Sequence, residues 1–432
     1  MALGGGTFTY QNKALPGSYI NFVSTGSASA SLSDRGFAAI ALPLSWGALG
    51  EIITVTSEEF CNNSVGLFGY DYSHSALAGL RDLFLYADTC YIYRLGAGGV
   101  KASSALGTAK YEGIRGNDIL VVVSAEDEGF CVKTYLAGLL RDSQVVAGAG
   151  ELIDNDFVVF DTSAVLEITA GTAFTGGSDG SYSTADYQVF LSKLEGYSFN
   201  TLGCLSTDDA VKRLFVSFTN RMRDDVGVKF QCVLYRYPEA DCEGIISVHN
   251  CVGGDEGDSS AVFWVTGVCA GCALNRSNTN RLYNGEFEVY ADYTQAELEG
   301  FAKGGSFILH KVSGDVRVLE DINTFVSVTD EKSGDFSMNQ TIRILDQIAA
   351  DIASLFCGKY LGVIPNDNAG RISLWNDIVS HHQRLAAVRA IEDFSPDDIT
   401  VSPGDSKTCV VVTDYITPVC AMSRLYMTVI VN

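Results

Sequence analysis

Basic side chains are scarce in this sequence: 29 Lys and Arg stand against 52 Asp and Glu, a net charge of −23 over 432 residues. A chain this acidic repels phosphate backbones, which argues against direct nucleic-acid binding. Long apolar runs are missing too. None approaches the roughly 20 residues that cross a bilayer, so no membrane insertion is expected. The opening Met1-Ala2-Leu3-Gly4-Gly5-Gly6 has neither the basic n-region nor the apolar h-region of a secretory signal. The twelve cysteines are therefore expected as free thiols in a reducing cytoplasm.

Motifs for chemistry are also wanting. Gly96-Ala97-Gly98-Gly99 has glycines but no helix after it, and no Walker-type lysine follows, so a phosphate cradle is not expected. Cys269-Ala270-Gly271-Cys272 falls late in a helical stretch, whereas reactive pairs sit at helix N-termini; buried small residues are the expectation. Cys242 and Cys251 are spaced wrongly for a zinc ribbon or finger. H-E-x-x-H does not occur, and Gly176-Gly177-Ser178-Asp179-Gly180, which has the G-x-S-x-G spacing, reads as a loop. Of five histidines, His381 and His382 flank an apolar helical stripe, as edge-of-core or contact residues do. Asp208/Asp209 suit a helix N-terminus, and Asp224/Asp225 are expected in solvent. No catalytic, cofactor or metal residues are assigned. An active site dispersed over distant residues would leave no such local trace, so a cytoplasmic α/β enzyme stays open as the alternative.

What is present is a well-packed globular composition, 47% hydrophobic and 19% charged, long enough for two to four domains. Thr7-Phe8-Thr9-Tyr10 alternates like a short strand, followed by the turn Leu15-Pro16-Gly17. It reads as an extended arm, or else as an ordinary first strand of the chain's own sheet. A buried strand at Phe37–Leu42, a helix near Ser75–Tyr86 and a strand at Thr89–Leu95 come next. From about Gly96 to Ser183 the texture is Gly-rich turns and short strands (Ile119–Ser124, Phe157–Phe160, Val165–Thr169), which predicts an all-β insertion.

From Thr184 to about Ser327, helices and strands alternate, the pattern of a mainly parallel sheet. One helix carries Tyr187, Phe190, Leu191 and Leu194; another opens at Ser206-Thr207-Asp208-Asp209. Strands Val228–Tyr235 and Ile245–His249, helix Ser260–Ala273 and strand Gly305–Lys311 follow. Two amphipathic helices, Asn339–Cys357 and Ile372–Ile391, then lead to strand Thr408–Thr413 and a final run, Leu425 to Val431. That run has no Gly, Pro or charge. Leu425, Met427, Val429 and Val431 would share one strand face; Tyr426, Thr428 and Ile430 the other. Both faces are largely apolar, so both should be covered, and the backbone needs a neighbouring strand from its own subunit or another.

Several stretches, taken together and in order across nearly the whole chain, resemble one family: Ser33-Asp34-Arg35-Gly36, Gly69-Tyr70-Asp71-Tyr72-Ser73-His74, Leu80-Arg81-Asp82-Leu83-Phe84, Tyr111 to Asp118, Asn155 to Phe160, Val318 to Thr324, and Leu425 to Val429. The family is the tail sheath protein of contractile-tailed phages and phage-derived bacteriocins, in its Gram-positive prophage branch. The Cys- and Gly-rich stretches around Cys242–Cys272 depart most from its pattern.

The resemblance implies an α/β multidomain fold: an α/β core with an inserted all-β domain, and a C-terminal α+β domain carrying strand-exchanging terminal arms. On that plan 1–20 is an N-terminal arm, 21–96 with 184–336 the core, 97–183 the β insertion, 337–422 the tube-proximal domain and 423–432 the C-terminal arm. The arm residues would be Phe8, Tyr10, Leu15 and Tyr19, with Leu425, Tyr426, Met427, Thr428, Val429, Ile430 and Val431. The receiving strand would be Cys409, Val410, Val411, Val412 and Thr413.

It further implies a homo-oligomer of hexameric rings stacked helically around a tail tube protein, with baseplate and tail terminator proteins as further partners. No cofactor is implied. The particle would be a virion tail or a bacteriocin, assembled in the host bacterial cytoplasm. Pro418 discourages a tight hairpin back onto Cys409–Thr413, and the eight residues Tyr415–Met422 can span at most about 26–29 Å, enough to reach an adjacent subunit.

From Asn339 to Phe394 the charges nearly cancel: Arg343, Lys359, Arg371, Arg384 and Arg389 against Asp346, Asp351, Asp367, Asp377, Glu392 and Asp393. This suggests that the helical pair faces the tube through Arg343, Arg384 and Arg389. The plainer account is that two helices pack a core and their charges are solvated.

Overall fold

In the computed structural model, residues 32–127, 129–255 and 257–431 are described; the expected N-terminal arm, with Phe8, Tyr10, Leu15 and Tyr19, lies outside them. The apolar run Phe37–Leu42 forms strand β1. Its alternation divides two cores: Ala39 and Ala41 join one apolar cluster, and Ala38, Ile40 and Leu42 another, because successive side chains leave a strand on opposite faces. Strand β2 (Ile52–Thr56), helices α1 (Ser57–Phe68) and α2 (Ala78–Phe84), and strand β3 (Thr89–Arg94) follow. Thr56 caps α1 by accepting the Glu59 N–H at 3.1 Å, and Gly69, at φ 76°, ends it.

Among the described residues of 97–183 there is no α-helix. The strands are β4 (Ser103–Ser104), β5 (Gly107–Ala109), β6 (Ile119–Glu126), β7 (Gly129–Leu136), β8 (Leu139–Val146), β9 (Val158–Phe160) and β10 (Thr169–Ala173). They form two antiparallel sheets, ordered β4-β5-β9 and β10-β6-β7-β8. The β7–β8 hairpin turns at Ala137 and Gly138, both at positive φ, the backbone that a two-residue hairpin requires. The strand expected at Val165–Thr169 instead begins where that run ends. Val165 and Ile168 are bare to solvent, and the first register partner on β6 is Val123, opposite Thr169.

Alternation of helix and strand then resumes. Helix α3 (Thr184–Leu194), strand β11 (Thr201–Cys204), helix α4 (Asp209–Asn220), strands β12 (Gln231–Tyr235) and β13 (Ile245–Val248), helices α5 (Ala261–Ala270) and α6 (Gln295–Lys303), and strand β14 (Ser306–Phe307) complete a seven-stranded sheet. Its order is β14-β13-β12-β11-β1-β3-β2. Every pairing is parallel except β2 with β3.

One face packs on Tyr187, Phe190, Val211 and Phe215 of α3 and α4; the other packs on Leu80 and Leu83 of α2 and Trp264 and Val265 of α5. Burial on both faces explains why β11, β12 and β13 are buried at every position, as strands of parallel sheets are. Helices α2 and α5 touch through glycine. A Cβ on Gly79 would lie 2.3 Å from the Phe263 ring, and one on Gly267 would lie 2.2 Å from the Leu83 carbonyl oxygen.

A short hairpin, β15 (Leu309–Val312) and β16 (Asp315–Val318), precedes helix α7 (Asn339–Leu355). Helix α8 (Asn368–Ala387), strand β17 (Ile391–Glu392) and the antiparallel hairpin of β18 (Ile399–Pro403) and β19 (Val410–Asp414) follow, and the short strand β20 (Thr417–Pro418) closes the order. The chain divides into two compact units: Asp34–Ala349 with 418 onward, and Ala350–Thr417 with Ser33. The division falls inside α7. In the second unit, Leu355, Leu374, Ile378 and Ile399 form a small core of their own.

The first turns of α7 carry a buried polar row. Asn339 donates from Nδ2 to Asp321 Oδ1 at 2.9 Å and accepts from Gln231 Nε2 through Oδ1 at 2.8 Å. Arg223 forms a two-pronged pair with Asp346, at 2.7 and 2.9 Å. Arg343 Nη2 donates to Asp321 Oδ2 at 2.8 Å, and the two side chains are 2% and 1% exposed. This corrects the expectation that Arg343 faces a tube. Its guanidinium is spent on an internal carboxylate. Although burial opposes ionisation of Asp321, the Arg343 charge and the Asn278 N–H hold its carboxyl below the usual range.

Candidate assembly surface

A single short segment, 419–431, contains the most exposed apolar side chains among the described residues, and its root is tied down firmly. Gln340, buried on α7, donates from Nε2 to the Val419 carbonyl at 3.0 Å and accepts the Ala421 N–H through Oε1 at 2.9 Å. Thr341 and Cys420 meet at 3.4 Å, and Arg424 contacts Glu320. Beyond Arg424 the hold ends. Leu425, Tyr426, Ile430 and Val431 are each more than 80% exposed, and Met427 and Val429 at least 70%.

The strand expected there is not formed. Among the described residues, 419–431 pairs with no sheet. A seven-residue apolar run with no neighbour cannot satisfy its backbone as a ladder, so it stays irregular. Both side-chain faces expected to be covered are bare.

The strand expected at Cys409–Thr413 is found one residue on as β19 (Val410–Asp414). Register runs Ile399↔Asp414 to Pro403↔Val410. The hairpin is held on α8, where the Trp375 indole N–H donates to the Ile399 carbonyl at 3.0 Å and Ile399, Val401 and Val410 join the small core. Such packing is what a two-stranded hairpin needs to persist. Among the described residues β18 and β19 have no third strand, so their outer edges are open. Val411 and Val412 are exposed on it. Beside β19 lies an open cleft of about 590 Å³, lined in part by Leu361, Val363, Ile364, Pro365 and Val410.

Arg384 and Arg389 are exposed near the end of α8 and just beyond it. His381 and His382 are not at an edge but fully inside, at 1% and 0% exposure. Cys269 and Cys272 are buried, and burial pushes both thiols up, away from the reactive thiolate. No cluster of three or more His, Cys, Asp or Glu able to hold a metal ion occurs among the described residues. Among the described residues no helix is long and apolar enough to cross a membrane. The arrangement is suited to adding strands and to packing apolar surface.

Three family models match along the chain: the N-terminal region of tail sheath protein Gp18 domain III at residues 35–95, the phage tail sheath protein central domain at 180–324 and the phage tail sheath C-terminal domain at 331–432. The phage-like element PBSX protein XkdK of Bacillus subtilis (strain 168) is 32% identical, over 100% of both chains. The crystal structure of the sheath tail protein from Desulfitobacterium hafniense is 34% identical and superposes with a TM-score of 0.82, covering 93% of this chain and 96% of that one. The helical sheath of the anti-feeding prophage in its contracted state shares the fold at 12% identity, with a TM-score of 0.57 over 97% of this chain and 99% of that one. With an α/β architecture, an exposed apolar segment and an open-edged hairpin, this chain belongs to the phage tail sheath family, in its Gram-positive prophage branch.

Proposed function

We propose that this chain polymerises as stacked hexameric rings around a tail tube and shortens to drive that tube through a target cell envelope, as a structural subunit without catalysis. The observation that carries the reading is the bare segment Leu425–Val431, with apolar side chains on both of its would-be strand faces. A neighbouring copy supplies the missing partner: the segment adds to the open edge of the β18–β19 hairpin, around Cys409–Thr413, by β-augmentation. The N-terminal residues Phe8, Tyr10, Leu15 and Tyr19 form the second exchanged arm.

Energetics favour exchange in a lattice over exchange in a pair. Each large apolar side chain gains about 1.5–3 kcal/mol at full burial, and each ladder bond a net of about 0.5–1.5 kcal/mol. Ordering the arm costs about 1–2 kcal/mol per backbone residue. One arm therefore binds moderately, and a lattice in which every subunit gives and receives arms binds by multivalency. Residues 415–422 carry the chain from β19 to the arm, and the hold of Gln340 on 419–421 sets where the exchanged strand departs.

The β segment 97–183 serves as the inserted outer domain, and 337–422 as the tube-proximal domain between the arms 1–20 and 423–432. Arg384 and Arg389 face the tube protein; baseplate and terminator proteins cap the ends of the stack. Assembly takes place in the host bacterial cytoplasm. Negative-stain microscopy of the purified full chain tests the reading: rings or long tubes are expected, and compact monomers at high concentration would overturn it.

A further inference from the structure

Neither outer edge of the β18–β19 hairpin carries a third strand, but the two are not equally able to accept one. Register runs from Ile399 opposite Asp414 to Pro403 opposite Val410. Bonds at its two ends fix which residues turn their backbone inward: the Tyr415 N–H donates to the Asp398 carbonyl at 3.1 Å, and the Gly404 N–H to the Cys409 carbonyl at 2.9 Å. Bonded pairs alternate along an antiparallel ladder. The backbone groups of Ile399, Val401 and Pro403 on β18, and of Val410, Val412 and Asp414 on β19, therefore point outward.

Strand β18 has spent most of these groups. Ile399 donates its N–H to the Pro396 carbonyl, and its own carbonyl accepts the Trp375 indole N–H at 3.0 Å. Pro403 has no N–H to give. Strand β19 has spent none: among the described residues, the outward N–H and carbonyl groups of Val410, Val412 and Asp414 have no partner. The apolar cleft of about 590 Å³ also lies on this side, lined by Lys407, Thr408 and Val410 and by no residue of β18. Asn366 ties its wall to the hairpin, donating from Nδ2 to the Lys407 and Cys409 carbonyls at 3.1 and 2.7 Å. Val410 and Val412 share a side-chain face with Ile399 and Val401, opposite which they stand. That face packs on the small core, so the same face of an added strand lies over the cleft.

We propose that the receiving edge is that of β19 alone, that its occupant is Leu425–Val431 of a second copy, and that Leu425, Met427, Val429 and Val431 face the cleft. This rests on the strand-exchange reading and adds to it the edge and the face. The segment fits the place: it carries no charge, pairs with no sheet in its own subunit, and is bare to solvent. One of its faces is apolar at every position, whereas the other includes Thr428. Trp375 and Pro403 close the wrong edge, which keeps each hairpin from taking an arm on the side away from the cleft.

Val401 and Val412 stand opposite each other, and proline at either removes one outward N–H and no bond of the hairpin's own ladder. In the full-length chain, followed by electron microscopy and sedimentation, Val412→Pro should stop polymers and Val401→Pro should leave them. Met427→Lys should raise the concentration needed for polymers by about tenfold or more, and Thr428→Lys by no more than about twofold. Should a proline variant fail to fold, hydrogen exchange of the unsubstituted chain decides: on assembly the amides of 410, 412 and 414 should gain protection, and that of 401 should not. Polymers that survive Val412→Pro, polymers lost in a folded Val401→Pro subunit, protection gained at 401, or equal sensitivity to lysine at 427 and 428 would overturn the proposal. An unsubstituted chain that never polymerises would overturn the exchange reading itself, and this inference with it.

Discussion

Gln340 grips Ala421: the buried side-chain oxygen accepts the Ala421 N–H at 2.9 Å while its amide donates to the Val419 carbonyl two residues earlier, at 3.0 Å. One glutamine on α7 therefore satisfies the backbone on both sides of Cys420 and fixes where the exposed segment departs. Replacing it should free the root without touching the apolar run. Gln340→Ala is expected to cost about 1–3 kcal/mol of subunit stability, the penalty for unpaired buried groups, and to raise hydrogen exchange at 419–421. Unchanged exchange there would mean that the segment is held elsewhere.

Arg343 and Arg384 lie on the two helices that the charge pattern nominated together, yet they should behave oppositely. Arg343→Met leaves Asp321 ionised and unpaired in a buried site, and should cost about 3–5 kcal/mol in urea unfolding. Arg384→Glu alters an exposed residue and should change subunit stability by no more than about 0.5 kcal/mol. Under the proposed tube contact it should weaken capture of the tube protein. Equal stability losses in the two variants would contradict the assigned burial.

Asp82 gives a pH dependence with a definite sign. Its carboxyl is 0% exposed and accepts the Glu286 N–H at 2.8 Å and the Tyr283 hydroxyl at 3.3 Å. Burial outweighs these donors and pushes the carboxyl up to about 6. An aspartate raised in the folded state binds its proton more tightly there than in the unfolded chain. Its contribution is therefore present in acid and lost as pH rises from about 4, the unfolded value, to about 6. Asp82→Asn lacks this linkage. Relative to wild type, the variant should gain up to about 3 kcal/mol between about pH 4 and pH 7, read from urea unfolding at both. Parallel wild-type and variant pH profiles would contradict it.

The cysteines should separate cleanly under alkylation of the native protein. Cys61, Cys357 and Cys409 are exposed free thiols, whereas Cys90, Cys204, Cys232 and Cys269 are buried, and burial pushes their thiols up. Iodoacetamide followed by peptide mass spectrometry should modify the first three within the native lifetime and reach the other four only on unfolding. Early modification of Cys269 would show that helix α5 opens.

Much of the α/β frame was legible because its signals are local. The stripes Tyr187–Leu194 and Asn339–Leu355 became helices, and the alternating order implied the parallel sheet. Two helices were overlooked although both carry a T-x-x-E start: Thr56 with Glu59 for α1, and Thr294 with Glu297 for α6, the latter a complete capping box. Their short, mixed stripes hid them.

The β7–β8 hairpin was overlooked because Ala137-Gly138 turns without the usual Asn or Asp. Arg343 could not be placed from its own helix, since its partner Asp321 lies on a different stretch of chain. Leu425–Val431 read as a strand because its composition says so; a strand also requires a neighbour, which composition cannot supply.

Under the proposed exchange, Leu425–Val431 is completed by another copy of the chain. A cryo-EM map of the assembled polymer, traced through residues 415–432, tests it most directly. The expected result is 425–431 running as a strand along the β18–β19 hairpin of a neighbouring subunit. Density in which the segment folds back on its own hairpin, or hangs free in the polymer, would contradict it.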